Sequence, residues 1–163
     1  ETDWRETYGP EMRTAGEAGN ARFLADNEVV QLLFTATLTE LEFISDNRIA
    51  RPLGTADRPR PNRAEARLSG RSLRNVTDAL KSVRAQVQAL SGETGGESFD
   101  RLDYALYAAG EIRDPAFADV ETPGGQFRLQ ELHDAVKTAR EAVNTELTAK
   151  LNVGAGFNSL DGD

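Results

Sequence analysis

Leu73, Val76, Leu80, Val83, Val87 and Leu90 follow one another in alternating steps of three and four. That spacing lines apolar side chains along one side of an α-helix and leaves the other side polar. A half-buried strand would need a step of two, and no stretch of the chain competes on that pattern. The rhythm returns in Phe99, Leu102, Leu106 and Ala109. It returns again in Leu129, Leu132, Val136, Ala139, Val143, Leu147 and Leu151. Ser72 and Ser98 read as N-caps of the first two segments. Gly92, Asp114-Pro115 and Gly154 read as stops, and the turn Pro123-Gly124-Gly125 precedes the last segment.

The earlier part reads the same way. From Asp26 to about Arg51, Val30, Leu33, Phe34, Leu41 and Ile44 mark one helix face, while Val29, Leu32, Leu38 and Phe43 mark a second. A helix apolar on two sides is central in its bundle or packs on another domain. Trp4 to about Glu17 predicts a shorter helix that Pro10 bends or restarts. Helices joined by short loops predict an all-α fold: an up-and-down bundle of about four main helices plus a short N-terminal helix, residues 1–163 forming a single bundle domain.

Composition narrows the function classes. The net charge of −8 argues against general affinity for nucleic acid or anionic membrane, while leaving room for a local basic patch. With no Cys, disulfides, thiolate metal sites and thiol nucleophiles are all excluded. No apolar run approaches the ~18 residues of a membrane helix. The chain opens on Glu1 with no signal peptide, which reads as a processed chain, a trimmed one or a fragment.

Three stretches are candidates for chemistry. Arginines crowd Arg48 to Arg74, with no Lys among them. Guanidinium groups make two-point pairs with carboxylates and phosphates, and "SGRSLRN" (Ser69–Asn75) adds Gly70 and the amides of a helix start. The alternative is solvated loop charge paired with the acidic remainder. In "FISDN" (Phe43–Asn47), Glu42 and Asp46 stand four apart on one helix face, an arrangement that helps hold a hard divalent cation or that pairs with Arg48 or Arg51. The closing "GFNSLDGD" keeps Phe157 among Gly, Asn and Asp. A docked tail explains that ring: Phe157 in an apolar slot, with Asp161 or Asp163 near Arg71, shaping a polar cleft close to Asp46.

Other signatures fail. His133 in "ELHDAV" has Val136 and Lys137 at the positions where a helical metal site wants an acid or a second His, so it reads as partly exposed and structural or salt-linked. One such His and no Cys leave Ser–His–Asp and Cys–His chemistry without support. The glycine pairs are turns rather than a phosphate loop.

"RPLGTADRPRPNRAEARLSGRSLRN", "FISDN" and "GFNSLDGD" together resemble the imelysin family, in the family's order, from about Asp26 to the end. The resemblance implies bacterial, iron-regulated proteins of the periplasm or outer-membrane face, built from two related helical bundles. This chain looks like the second bundle, with the N-terminal imelysin bundle and iron-uptake or envelope proteins as partners and no nucleic acid among them. Iron or another divalent metal is the implied cofactor. The family motif G-x-H-x-x-E is absent here, and Arg67-Leu68 stands where many relatives have Trp-Arg. The resemblance carries over Ser45, Asp46, Asn47, Ser69, Arg71, Ser72, Asn75, Asn158, Asp161 and Asp163 as motif residues, and no catalytic residue. Three functions follow: iron acquisition by binding metal or a metal-bearing partner without catalysis; a metallopeptidase whose metal motif lies in a first half; and a structural half-bundle with no site of its own.

Overall fold

A computed structural model of the chain describes residues 3–153. Helix α1 is Tyr8–Arg13. Helix α2, Asp26–Glu42, runs without a break into a π-helical stretch, Phe43–Ile49, and a last turn α3, Ala50–Leu53. Helices α4 (Ser72–Ser91), α5 (Glu97–Gly110) and α6 (Pro123–Leu151) follow. No strand occurs among the described residues; only an isolated bridge joins Thr55 to Arg58.

The long helices close a ring. Helix α2 packs on α4 and α6, and α5 packs on the same two helices from the other side. Each contributes the stripe that its spacing predicts. Phe34, Leu41, Val76, Leu80, Val87, Phe99, Leu102, Leu132, Val136, Val143 and Leu147 are all buried. Burial of such side chains, at about 1.5–3 kcal/mol each, is the main favourable term holding the bundle closed. The expected up-and-down, all-α architecture is therefore present. The two apolar faces of α2 are each only partly used: Leu32 of the second stays 39% exposed and Leu33 of the first 40%.

Several local expectations are corrected. The helix expected from Trp4 to Glu17 shrinks to α1, in which Pro10 sits in the first turn, where its missing N–H is tolerated. Ser72 is not the N-cap of α4. It lies inside the first turn, and its hydroxyl donates to the Glu65 carbonyl, tying down the preceding loop. Ser98 does not cap α5 either. The helix starts behind Gly96, and the Glu146 carboxylate, reaching across from α6, accepts the Ser98 N–H at 2.8 Å. An anion at a helix N-terminus meets both the free amides and the helix dipole, so α6 supplies the cap that the local sequence lacks.

Pro123-Gly124-Gly125 is the first turn of α6 rather than a turn before it. Thr122 is the N-cap, its Oγ1 accepting the Gly125 N–H at 3.1 Å. We expect Thr122→Ala to cost about 1 kcal/mol and Thr122→Ser to cost much less, read from paired thermal melts. Equal losses in the two variants would rule out the cap as the cause. Gly92, by contrast, ends α4 as expected, in the left-handed conformation at φ 70°.

Candidate polar cleft at the π-helical segment

The seven residues Phe43–Ile49 interrupt the α-helical run from Asp26 to Leu53 with a π-helical stretch. The Ala50 N–H reaches back five residues to the Ser45 carbonyl. Ile44 and Ile49 are both fully buried although five apart. In a plain α-helix they would point about 140° away from each other. The widened turn brings both into the core, and in doing so it re-aims Ser45, Asp46 and Arg48. Such single-turn widenings are frequent at functional sites.

On the α6 side, Glu42, Ser45, Asp46, Lys137, Arg140 and Glu141 line a cavity of about 220 Å³. Arg140 Nη2 donates to Glu42 Oε2 at 2.7 Å. The Ser45 hydroxyl, buried, lies 2.7 Å from Asp46 Oδ1 and 3.0 Å from the Glu42 carbonyl oxygen. Glu42 and Asp46 thus line one cavity, as their spacing predicts, but two cations of α6 share it with them. Arg140 Nε is buried and has no hydrogen-bond partner among the described residues, which leaves one guanidinium donor unmet.

On the α4 side, Arg48 joins the two central motifs. Its guanidinium pairs with Glu40 at 3.1 Å and Glu65 at 2.9 Å, lies 3.5 Å from the Asn75 carbonyl oxygen, and sits over the Phe43 ring at 5.2 Å. A more open hollow of about 500 Å³ lies beside it, lined in part by Glu40, Asn75 and Asp78. Arg48 thus bridges the partly buried Glu40 and the exposed Glu65, while the acids expected beside Arg71, Asp161 and Asp163, lie outside the described residues. Arg71 is exposed and makes no ion pair with any described residue. Ser69 is exposed, with its hydroxyl turned back to the Ala66 carbonyl. Asn47 is half-buried beside the cavity-forming residues. Phe157, Asn158, Asp161 and Asp163 lie outside the described residues.

Lys137 and Arg140 escape a reading of local motifs because they belong to α6, about ninety residues further along the chain. The signal for the π turn was present: the 44-to-49 step breaks the three-and-four rhythm across three poor helix formers, Ser45, Asp46 and Asn47. His133 is structural in setting, its side chain 15% exposed and its Nδ1 3.1 Å from Asp134 Oδ1. The clear titration shifts lie away from the cleft. The Tyr104 phenol is held above its usual range by its hydrogen bond to the Glu131 carboxylate, and Arg22 and Arg84 are raised by bonds to Glu11 and Asp103. None of these three lines the cavity.

The residues also bear on a metal. No group of three His, Cys, Asp or Glu side chains comes together as a ligand set among the described residues. Glu42, which a cation would need, already meets a guanidinium. The described residues by themselves therefore do not fit a bare metal ion, which takes six or more oxygens when it is hard.

The described residues form a strand-free bundle of α-helices with a charged cleft beside a π turn. The imelysin family model matches residues 1–143, and the chain belongs to the imelysin family. No curated protein and no solved structure matches the chain. No helix of the described residues is long and apolar enough to cross a membrane.

Proposed function

We propose that this imelysin-family bundle is a non-catalytic binding protein of the bacterial envelope. In this reading it serves iron acquisition by holding an oxygen-rich, metal-bearing ligand, such as a metal carboxylate, in the cleft between the π-helical segment and α6. The observation that carries the reading is the pairing of Glu42 with Arg140 in a cavity that also contains Asp46 and Lys137. A bare cation is repelled by Lys137 and Arg140. A chelate that carries its own carboxylates meets those cations while its metal faces Asp46, and Arg140 has a donor to spare. The periplasm or outer-membrane face is the compartment that family membership suggests. A first bundle packing against α2, where Leu32 and Leu33 stay half exposed, fits the same picture.

Titration calorimetry with ferric citrate and with ferrous ion alone tests the reading. Ferric citrate is expected to bind, and Arg140→Met and Asp46→Asn are each expected to weaken it about tenfold, the worth of one charge-assisted contact. No binding of the chelate, or binding as tight as wild type by both variants, would defeat the proposal. Cleavage of casein or insulin that a chelator abolishes would favour the metallopeptidase instead.

A further inference from the structure

The arginine-rich loop has a property that the cleft does not use. Residues 51–71 contain six arginines and two acids, in a chain whose net charge is −8. Nine ion pairs of Arg or Lys form among the described residues, and none uses Arg51, Arg58, Arg60, Arg63, Arg67 or Arg71. One of the two acids, Glu65, is already taken by Arg48. An acidic protein that leaves these arginines unpaired concentrates its positive charge in this one loop.

Within this loop Leu68 is 95% exposed, the most exposed of the large apolar side chains described. It lies in a 3-10 turn, Arg67–Ser69, with arginines at 67 and 71. The turn is held in shape rather than left loose. Ala66 and Gly70 bracket it in the left-handed conformation, at φ 55° and 64°. The Arg71 N–H and the Ser69 hydroxyl both donate to the Ala66 carbonyl, at 3.2 and 2.9 Å. The Ser72 hydroxyl anchors the stem to Glu65. A Cβ placed on Gly70, two residues on, would also meet nothing within 4 Å, so this side of the turn faces open space there too. The loop also belongs to one end of the bundle with the α5–α6 connection: the Leu73 N–H bonds the Pro115 carbonyl at 2.9 Å, and Gln126 bonds the Thr55 and Ala56 carbonyls. That connection adds Arg113, exposed and unpaired among the described residues, together with the acids Glu111, Asp114, Asp119 and Glu121, of which Asp119 is paired with Arg128, so the excess of positive charge belongs to residues 51–71.

We propose that this end of the bundle docks on an anionic lipid surface, with Leu68 entering the headgroup–acyl boundary and the flanking guanidinium groups pairing with lipid phosphates. The charge is complementary to a phospholipid layer, and guanidinium binds phosphate through two parallel bonds. A single exposed apolar tip between Arg67 and Arg71, in a loop with four further arginines, suits a layer of many equivalent phosphates rather than one shaped partner. Binding of this kind combines apolar insertion with basic residues near the surface. The acidic body turns away from the membrane, so docking is oriented and falls with salt. The inference is independent of the ligand cleft, and either can fail alone.

Vesicle co-sedimentation tests it, with phosphatidylglycerol–phosphatidylcholine vesicles set against pure phosphatidylcholine. The protein is expected to partition onto the anionic vesicles at low salt, to leave them at high salt, and to ignore the neutral ones. Leu68→Ser is expected to lower partitioning several-fold, and Arg67→Glu with Arg71→Glu to lower it more than tenfold. Lys81→Glu, an exposed charge reversal on α4, is expected to change it little. Leu68, Arg67 and Arg71 are exposed, so all variants are expected to keep the wild-type melting temperature. Absence of binding to anionic vesicles, equal binding to neutral ones, or equal loss in Lys81→Glu overturns the proposal. So does binding only to an acidic polypeptide or to nucleic acid, which would reassign the surface.

Discussion

Gly125→Ala is expected to lower stability by about 3 kcal/mol, or roughly 10 °C in melting temperature for a chain of this size. A Cβ on Gly125 would stand 2.0 Å from the Asp119 carbonyl oxygen and 2.8 Å from Asp119 Cγ, where real contacts stay beyond about 3 Å. The first atom is backbone, so no side-chain rotation relieves the clash. Either the turn Ala118–Glu121 or the start of α6 must move by an ångström or more. Asp119 is tied on both sides. The Thr122 hydroxyl donates to its carbonyl at 2.8 Å, and Arg128 pairs with its carboxylate at 2.8 Å. Displacement therefore also strains the N-cap and an ion pair, and it loosens Phe117 and Val120, each 1% exposed. Gly124→Ala is the control. Its nearest neighbour is the end of the Arg128 side chain at 3.4 Å, and Ala is the better helix former, so that variant is expected to be neutral or slightly more stable. Paired thermal melts decide it, and similar melting temperatures for the two variants would show that the close approach is not what matters.

Arg140→Met is expected to lose about 2 kcal/mol in urea unfolding. The substitution keeps most of the apolar stem and removes the charge that faces Glu42. The Glu42 side chain is 17% exposed, so its carboxylate is left poorly solvated and without its principal counter-ion. Loss of one partner from a fully buried pair costs about 3–5 kcal/mol. The value expected here is smaller because Arg140 itself is 39% exposed. Glu42→Gln added to Arg140→Met is expected to recover about half of the loss, since the remaining polar group no longer carries charge. A double variant no more stable than Arg140→Met would mean that the loss comes from packing of the arginine stem.

The helices were legible because their cause is local. The spacing of Leu73 through Leu90 or Leu129 through Leu151 has one solution, and the structure buries most of both stripes. The ends were less legible, for an equally plain reason. Ser72 and Ser98 look like caps by type, yet one bonds a loop carbonyl and the other yields its N–H to Glu146, far along the chain. A hydroxyl takes whichever partner tertiary contact brings close, and that partner is not written beside it. The candidate cleft divides in the same way. Glu42 and Asp46 were visible as a pair of acids on one face, whereas Lys137 and Arg140, which set the charge of the cavity, were not.

By itself the sequence determined the helical content, the apolar stripes, the acidic balance and the family to which the chain belongs, because each depends on residue type and spacing along one segment. Only the tertiary structure decided that Phe43–Ile49 widens to a π turn, that Arg48 joins the two central motifs, and that Glu42 faces a cation. Those outcomes depend on which helices become neighbours. Ile44 and Ile49 can both reach the core only if the helix gains a residue in that turn, and the benefit of doing so exists only once α4 and α6 have closed around it.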